Sequence, residues 1–423
     1  MVSALERLSE SSVWKRQAAA YEALGQRAWS ESLIAWRVTT CPWIAKVEAE
    51  RIAEFDAEAR RLGWLEGDEP LTICDVGAGT GRLVFHLKRE LEARGINARF
   101  ILTDVAPSNV AAYEAQGHLA LQLDLLHDEP PELGPAVILA HYLFDSLPHS
   151  AWRNGGSEEG WVMERADGSF EWHWRPATRQ PPHPITDDAP HLFPDGALKA
   201  LDFFSRATGG RFLLLALDKG ANETPTLARH ETISAGVNFE ALALAAPALT
   251  WLTSRQSPTL QLAIAVPRAC ASRLEPISVD PLLAGLETVT RLRESEATTL
   301  DDIVAVQAEL QHDPDTLTQL ADRARQALPS STPAQVEALV LSIARAAGRH
   351  FVFKQQLDVP FTLATLAHAS GALVLAEALY ALAVRESGEQ APTLYNLSLL
   401  MRATGRPDEA EVLLQRALDQ RPG

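Results

Sequence analysis

Residues 73–85 read Ile-Cys-Asp-Val-Gly-Ala-Gly-Thr-Gly-Arg-Leu-Val-Phe, and no other stretch constrains the fold of this chain as much. Gly77, Gly79 and Gly81 alternate with small residues, after an apolar run that holds Asp75 and before a helical pattern. Glycine permits positive φ and leaves bare backbone against which a ligand can lie. The spacing predicts a strand over 71–76, a turn over 77–81 and a helix over 82–93. A dinucleotide turn is GxGxxG, but here the third glycine comes one position early and Arg82 stands in its place. The phosphate loop GxxxxGK[ST] is absent. The turn therefore points away from both NAD and ATP.

The same texture continues downstream. Short apolar runs at Leu71 to Val76, Arg99 to Thr103, Leu119 to Leu123, Ala136 to Ala140 and Arg211 to Leu217 are separated by helical stretches. Strands alternating with helices imply a parallel sheet covered on both faces. Two further runs, Ala248 to Thr253 and Leu260 to Val266, are joined by only Ser254 to Pro258, which fits an antiparallel hairpin. The expected fold is α/β, a Rossmann-like sheet of seven strands spanning residues 67–270. A helical segment, 1–66, precedes it and an all-helical region, 271–423, follows.

Residues 149–195 read as an insertion. Asp167-Gly168 between Trp161 to Arg165 and Phe170 to Trp174 is a hairpin signal, and Phe170, Trp172 and Trp174 share one face. They form either an apolar cap on the sheet edge or an aromatic wall over a pocket. Residues 175–190, rich in proline, read as a loop. Near the carboxyl terminus Leu363, Ala364, Gly371, Ala376 and Ala383 recur as Leu397, Ser398, Gly405, Ala410 and Ala417. That offset of about 34 residues is the period of a tetratricopeptide unit.

Composition narrows the class. A formal charge of −17 repels a polyanion, and no lysine- and arginine-rich run interleaved with aromatics offsets it, so nucleic acid is not an expected partner. No apolar run of eighteen residues marks a membrane span. The start of the chain, with Glu6, Arg7, Glu10, Lys15 and Arg16, does not read as a leader, and the expected location is the cytoplasm. Cys41, Cys74 and Cys270 lack metal-binding spacing and read as small buried hydrophobes, so no metal is expected.

GxGxG preceded by Asp resembles motif I of the class I S-adenosylmethionine-dependent methyltransferases. Phe144-Asp145-Ser146-Leu147-Pro148 is similar to the FDALP segment of the MidA-like methyltransferases. Residues 159–165, 214–220 and 235–243 are similar, in order, to that family's GWxER segment, IDYG strand and VDFTALA helix. The resemblance covers about residues 71–268 and implies S-adenosylmethionine as cofactor. It places Asp75, Gly77, Gly79, Gly81, Asp104, Leu123, Asp124 and Ala140 around it, with Asp104 on the ribose hydroxyls, Leu123 and Asp124 at adenine, and Asp75 toward the amino group. Read alone, Asp104 is equally a helix cap and Asp124 a loop residue.

The fourth run ends in His141-Tyr142, where that family commonly has Asn-Glu, so the carboxylate that an arginine acceptor would want is missing. His141 is the candidate base, because its ordinary pKa lies near neutrality, while Tyr142 and Asp145 are candidates to orient the acceptor. The alternatives are a histidine satisfied by backbone and an aspartate capping the next turn. The expected activity is methyl transfer to a protein side chain, with the repeat-like helices recruiting the partner. A small-molecule acceptor and a non-catalytic adaptor are the rival readings.

Overall fold

In the computed structural model, the apolar runs that follow residue 70 become the strands of one sheet. The structure describes residues 4–31, 36–220, 227–229, 233–254, 260–353 and 358–420. The strands are β1 (Leu71–Val76), β2 (Ala98–Asp104), β3 (Leu119–Gln122), β4 (Ala136–His141), β5 (Phe212–Asp218), β6 (Leu249–Thr253) and β7 (Gln261–Pro267). Their order across the sheet is 3-2-1-4-5-7-6. All neighbours are parallel except β7, which runs antiparallel to both β5 and β6. Burial explains why these runs are continuous rather than alternating: every residue of β1 and β5 is buried, whereas the edge strands β3 and β6 are partly exposed. The expected hairpin is the β6–β7 pair, and its connection at 255–259 lies outside the described residues.

Six helices of this unit matter for the site: α1 (Ser12–Leu24), α2 (Pro42–Arg61), α3 (Arg82–Glu92), α4 (Pro107–Ala115), α5 (Asp195–Thr208) and α6 (Phe239–Ala245). On one face, Ala200, Phe203, Phe204, Phe239 and Leu242 of α5 and α6 form a core with Val76, Ile138, Ala140 and Leu214 from the strands. At the other face Ile44, Ile52 and Phe55 of α2 are fully buried, as is Leu87 of α3.

The first residues depart from the expected helical segment. Glu6–Arg7 is a short strand that pairs with Trp161 and Val162 of the insertion. Two residues are too few to carry a period, so no pattern announces them. The turn behind them is tightly fixed. Glu6 accepts hydrogen bonds from the Ser12 amide and the Ser11 and Ser12 hydroxyls, and Trp14 Nε1 donates to the Leu8 carbonyl (2.7 Å).

The insertion itself is a small antiparallel sheet. Ser150–Arg153, Glu158–Glu164, Phe170–Pro176 and His191–Phe193 are its remaining strands, and the Asp167-Gly168 hairpin sits where expected, with Gly168 at φ +83°. Phe170, Trp172 and Trp174 pack on Leu8, Val13 and Trp14, so they close a core between this sheet and α1.

The chain divides into two compact units, the second beginning at Asp280. The second unit is helical throughout its described residues, from Asp280–Glu294 to Pro407–Asp419. Its prolines start helices rather than break them: Pro314 and Pro333 sit in first turns, behind the caps Asp313 and Thr332. The 34-residue register is visible in the last two helix pairs. Gly371 and Gly405 turn the chain at the same φ of +77°, and Ala376 and Ala410 are fully buried.

Candidate functional site

The order of the strands reverses between β1 and β4, and in open α/β sheets ligands bind in the crevice beyond the carboxyl ends at such a point. The glycine turn leaves β1 there. Gly77, Gly79 and Gly81 have φ of +66°, +60° and +78°, a region that side chains rarely adopt, so the alternation of glycines is a conformational requirement. The Ala78 amide donates to the Thr103 carbonyl (3.0 Å), which pins the turn to β2. Gly77 and Gly79 line cavities, whereas Gly81 starts α3 and would meet Leu102 if it carried a Cβ. A Cβ at Gly79 would come within 3.1 Å of the Trp29 indole.

Two cavities meet at Gly77 and Tyr142. The larger, about 330 Å³, is bounded by Val76, Gly77, Asp104, Leu123 and Asp124 from the sheet, by Tyr142, Leu143, Ser146, Leu147 and Pro148, and by α1. The smaller, about 60 Å³, is enclosed by Asp75, Gly77, Gly79, Thr39, His141 and Trp29. The expected cofactor residues Asp75, Gly77, Gly79, Asp104, Leu123 and Asp124 are thus brought together. Ala140 is not: it is fully buried under α5 and reaches neither cavity, because its place in the pleat turns it away from the crevice.

Asp104 combines both roles considered for it. It lines the larger cavity, yet its Oδ1 accepts from the Ala106 amide (2.9 Å) and its Oδ2 from Asn109 (2.9 Å) and Tyr113 (3.2 Å). Burial raises its pKa and these three bonds oppose the rise. The Tyr113 hydroxyl also lies 2.8 Å from the Gly79 carbonyl, so its single hydrogen is placed between the carboxylate and the glycine turn. At the end of β3, Asp124 accepts from the Leu126 amide and pairs with His127 (2.9 Å).

The loop after β4 and the end of that strand are tied to the rest of the protein through side chains. His141 has both ring nitrogens engaged within the protein: Nδ1 lies 3.0 Å from the Thr39 carbonyl and Nε2 lies 2.7 Å from Glu48 Oε1. A carbonyl can only accept, so Nδ1 carries a hydrogen. The side chains of His141 and Glu48 are 6% and 0% exposed. Burial pulls the His141 pKa down, but the Glu48 charge and hydrogen bond, Asp75 and Thr39 together lift it above the ordinary value. With Nδ1 bound to Thr39 and Nε2 to Glu48, neither ring nitrogen is left to face an acceptor, so the arrangement is one of positioning rather than of a general base. Asp75 lies in the same cluster. Burial pushes its carboxyl up to about 7; His141 opposes the rise, and Glu48 and Asp104 add to it.

Tyr142 is one of few residues other than glycine at positive φ, +48°, and lines both cavities. Such a conformation persists where surrounding structure imposes it and often marks a working site. Asp145 lines neither cavity. It accepts from the Ser146 hydroxyl (2.9 Å), lies 3.9 Å from Lys219 Nζ and sits beside Asp218, whose Oδ2 accepts from the Phe144 amide (2.9 Å). Burial and the neighbouring Asp145 raise the Asp218 pKa well above the usual range. Asp145 is therefore part of the turn's internal scaffold, the structural alternative considered for it. The aromatic wall is corrected likewise, since Phe170, Trp172 and Trp174 belong to the small-sheet core and do not line the larger cavity.

Several residues escaped the sequence reading. Glu48 and Thr39 reach His141 from 93 and 102 positions away, and Asp218 reaches Phe144 from 74 away, distances at which no local pattern signals a contact. Asn109 and Tyr113 were closer to legible, because they follow Asp104 by five and nine residues on a helix that starts beside it. Among the described residues no three His, Cys, Asp or Glu side chains gather to hold a metal ion, and no helix is long and apolar enough to cross a membrane.

No family model matches the chain, and no curated protein does. Among solved structures it is similar to an uncharacterized protein from Burkholderia thailandensis, with TM-score 0.44 and 14% identity over 64% of this chain and 90% of that one. A second protein of the same superfamily and bacterium, bound to S-adenosyl-homocysteine, gives TM-score 0.39 and 14% identity over 62% and 96%. The 1,6-didemethyltoxoflavin-N1-methyltransferase of that bacterium, with bound 1,6-didemethyltoxoflavin and S-adenosylhomocysteine, gives 0.33 and 12% over 60% and 89%. The sheet itself defines the fold class. It is a seven-stranded, mostly parallel α/β sheet with one antiparallel strand placed next to last.

Proposed function

We propose that the protein is an S-adenosylmethionine-dependent methyltransferase. The observation that carries this reading is the left-handed glycine turn at the point where strand order reverses, with two buried carboxylates, Asp75 and Asp104, bracketing it at adjoining cavities. The residues present fit such a cofactor. Gly77 and Gly79 offer bare backbone, Asp75 lines the smaller cavity where a cationic amino group would be attracted, and Asp104 lines the larger one where a ribose hydroxyl could approach it. Leu123 and Asp124 border the adenine end. Trp29 covers Gly79, so its indole shifts when the turn is used.

When bound, S-adenosylmethionine supplies an electrophilic methyl group on a sulfonium. The chain's own task is then alignment of an acceptor at the mouth of the crevice, where in-line geometry contributes most. Tyr142 stands between the two cavities and orients that acceptor. His141, tied to Glu48 and Thr39, holds the β4 end in place and keeps positive charge beside Asp75.

A second reading keeps the same chemistry but makes the acceptor a polypeptide recruited by residues 280–423. It is favoured by the tetratricopeptide-like register and by a groove lined by Leu397, Met401, Val412 and Leu413. Methyl transfer from labelled cofactor into a native lysate separates the two, because label enters either the protein or the small-molecule fraction. The cofactor assignment is tested by calorimetry with S-adenosylhomocysteine. The full chain is expected to bind it, and Gly77→Ala, which puts a methyl into the crevice at positive φ, to bind it about ten-fold more weakly, or about 1.4 kcal/mol. No detectable binding to the folded wild-type protein, or tight binding of NAD instead, would sink the assignment.

A further inference from the structure

The larger cavity extends past the glycine turn to a region that the cofactor reading does not use. There its walls are apolar: Trp14 and Ala18 from α1, and Leu126, Leu143, Leu147 and Pro148 from the loops after β3 and β4. Trp14 is held rigidly, stacked on His149 with ring centroids 5.7 Å apart and bonded through Nε1 to Leu8. The charged residues on the same walls are unevenly matched. Glu10 pairs with Arg7 (3.1 Å), Asp124 with His127, and Asp104 is satisfied by Ala106, Asn109 and Tyr113. Lys15 of α1 and Lys199 of α5 have no carboxylate within ion-pair distance among the described residues. In a chain of net charge −17 with six lysines, two of the six border this one cavity, both with exposed side chains at its rim.

We propose that this outer part of the cavity takes the methyl acceptor, and that the acceptor is a small molecule with an apolar body and one anionic group, held between Lys15 and Lys199. The proposal rests on the methyltransferase reading for the word acceptor, while the anion site stands on the cavity's own chemistry. The apolar walls hold the body, the lysine stems extend those walls, and the two ammonium groups select the anion.

The test uses the full chain saturated with S-adenosylhomocysteine and two fluorescent probes of nearly equal shape, 2-naphthylacetate and its neutral amide. The acid is expected to bind at least about ten-fold more tightly than the amide, in keeping with one anion shared by two ammonium groups. Lys15→Gln with Lys199→Gln should erase the preference, and Lys15→Arg with Lys199→Arg should keep it. S-adenosylhomocysteine affinity should stay within about two-fold in both double variants. The proposal is overturned if acid and amide bind equally, if neither binds, or if the preference survives the glutamine pair. If the wild-type chain prefers the acid but does not bind S-adenosylhomocysteine, the cofactor reading fails and the anion site remains.

Discussion

The loops after β1 and β4 leave the sheet side by side, yet they are built on opposite principles. The first is a backbone device. Gly77, Gly79 and Gly81 sit at φ values that glycine adopts freely, so the turn's shape follows from its own residues. The second holds a tyrosine at φ +48° and owes its shape to side chains from elsewhere: Glu48 and Thr39 on His141, and Asp218 on the Phe144 amide. A site written in backbone geometry can be read from a few consecutive letters. A site written in long-range ties becomes visible only once the chain is folded.

The sharpest way to break this contrast is to cut the tie. Glu48→Ala leaves a buried imidazolium without its partner, a change that costs about 3–5 kcal/mol where the group stays buried. Urea unfolding should show a loss of that order, with Glu48→Gln milder because an amide can still bond to the ring. The sign of the pH dependence follows from the raised pKa of His141. Its contribution is fully present below the unfolded value near 6.5 and fades as pH rises through the higher folded value. In Glu48→Ala that downward slope should vanish. A loss below about 1 kcal/mol would mean that the β4 loop is as self-sufficient as the glycine turn.

The same contrast explains what could be read in advance. The sheet was legible because β1, β4 and β5 are buried on both faces, so their letters are continuously apolar, and observed ends fall within one or two residues of the expected ones. The Asp167-Gly168 turn announced its hairpin through turn chemistry alone. What the hairpin's aromatics pack against was not legible, since Trp172 meets Leu8 and Trp14 only through a two-residue strand with no period of its own. Within the site, Asp75, Gly77, Gly79, Asp104, Leu123 and Asp124 were recoverable from strand-end position. The partners of His141 and Asp145 were not legible, because a residue's chemistry does not reveal that its polar atoms are already engaged.

A smaller effect is expected where the two loops meet, at Asp75. Its carboxyl, lifted to about 7, keeps a proton in the folded protein that an unfolded chain would release near 3.9. Between these values the native state binds more protons, so this residue's contribution to stability falls as pH rises. A cationic amino group against Asp75 requires the carboxylate. S-adenosylhomocysteine affinity should therefore rise with pH, by up to about ten-fold per unit below 7, and level off above it. Calorimetry in buffers of different ionisation enthalpy should detect the released proton. Asp75→Asn should flatten the profile, and an unchanged profile would move the amino group elsewhere.

The smallest effect is expected at Asp145, which a reading of the sequence ranks among the catalytic candidates. Its carboxylate faces Ser146, Lys219 and the buried Asp218 rather than either cavity. Asp218 accepts from the Phe144 amide through Oδ2, while its Oδ1 is buried without a partner. Asp145→Asn removes a charge that raises the proton affinity of Asp218, and keeps the side chain's size. Stability at pH 7 should stay level or rise by up to about 1 kcal/mol, and S-adenosylhomocysteine affinity should stay within about two-fold. Methyl transfer, measured with whichever acceptor the labelled fraction yields, should fall by no more than about three-fold, since a group that does not touch the acceptor contributes only through the turn it supports. A drop of about a hundred-fold with affinity and stability intact would bring Asp145 back to the reacting atoms, and would show that the β4 loop opens toward the acceptor in a way the glycine turn, fixed by its own backbone, does not.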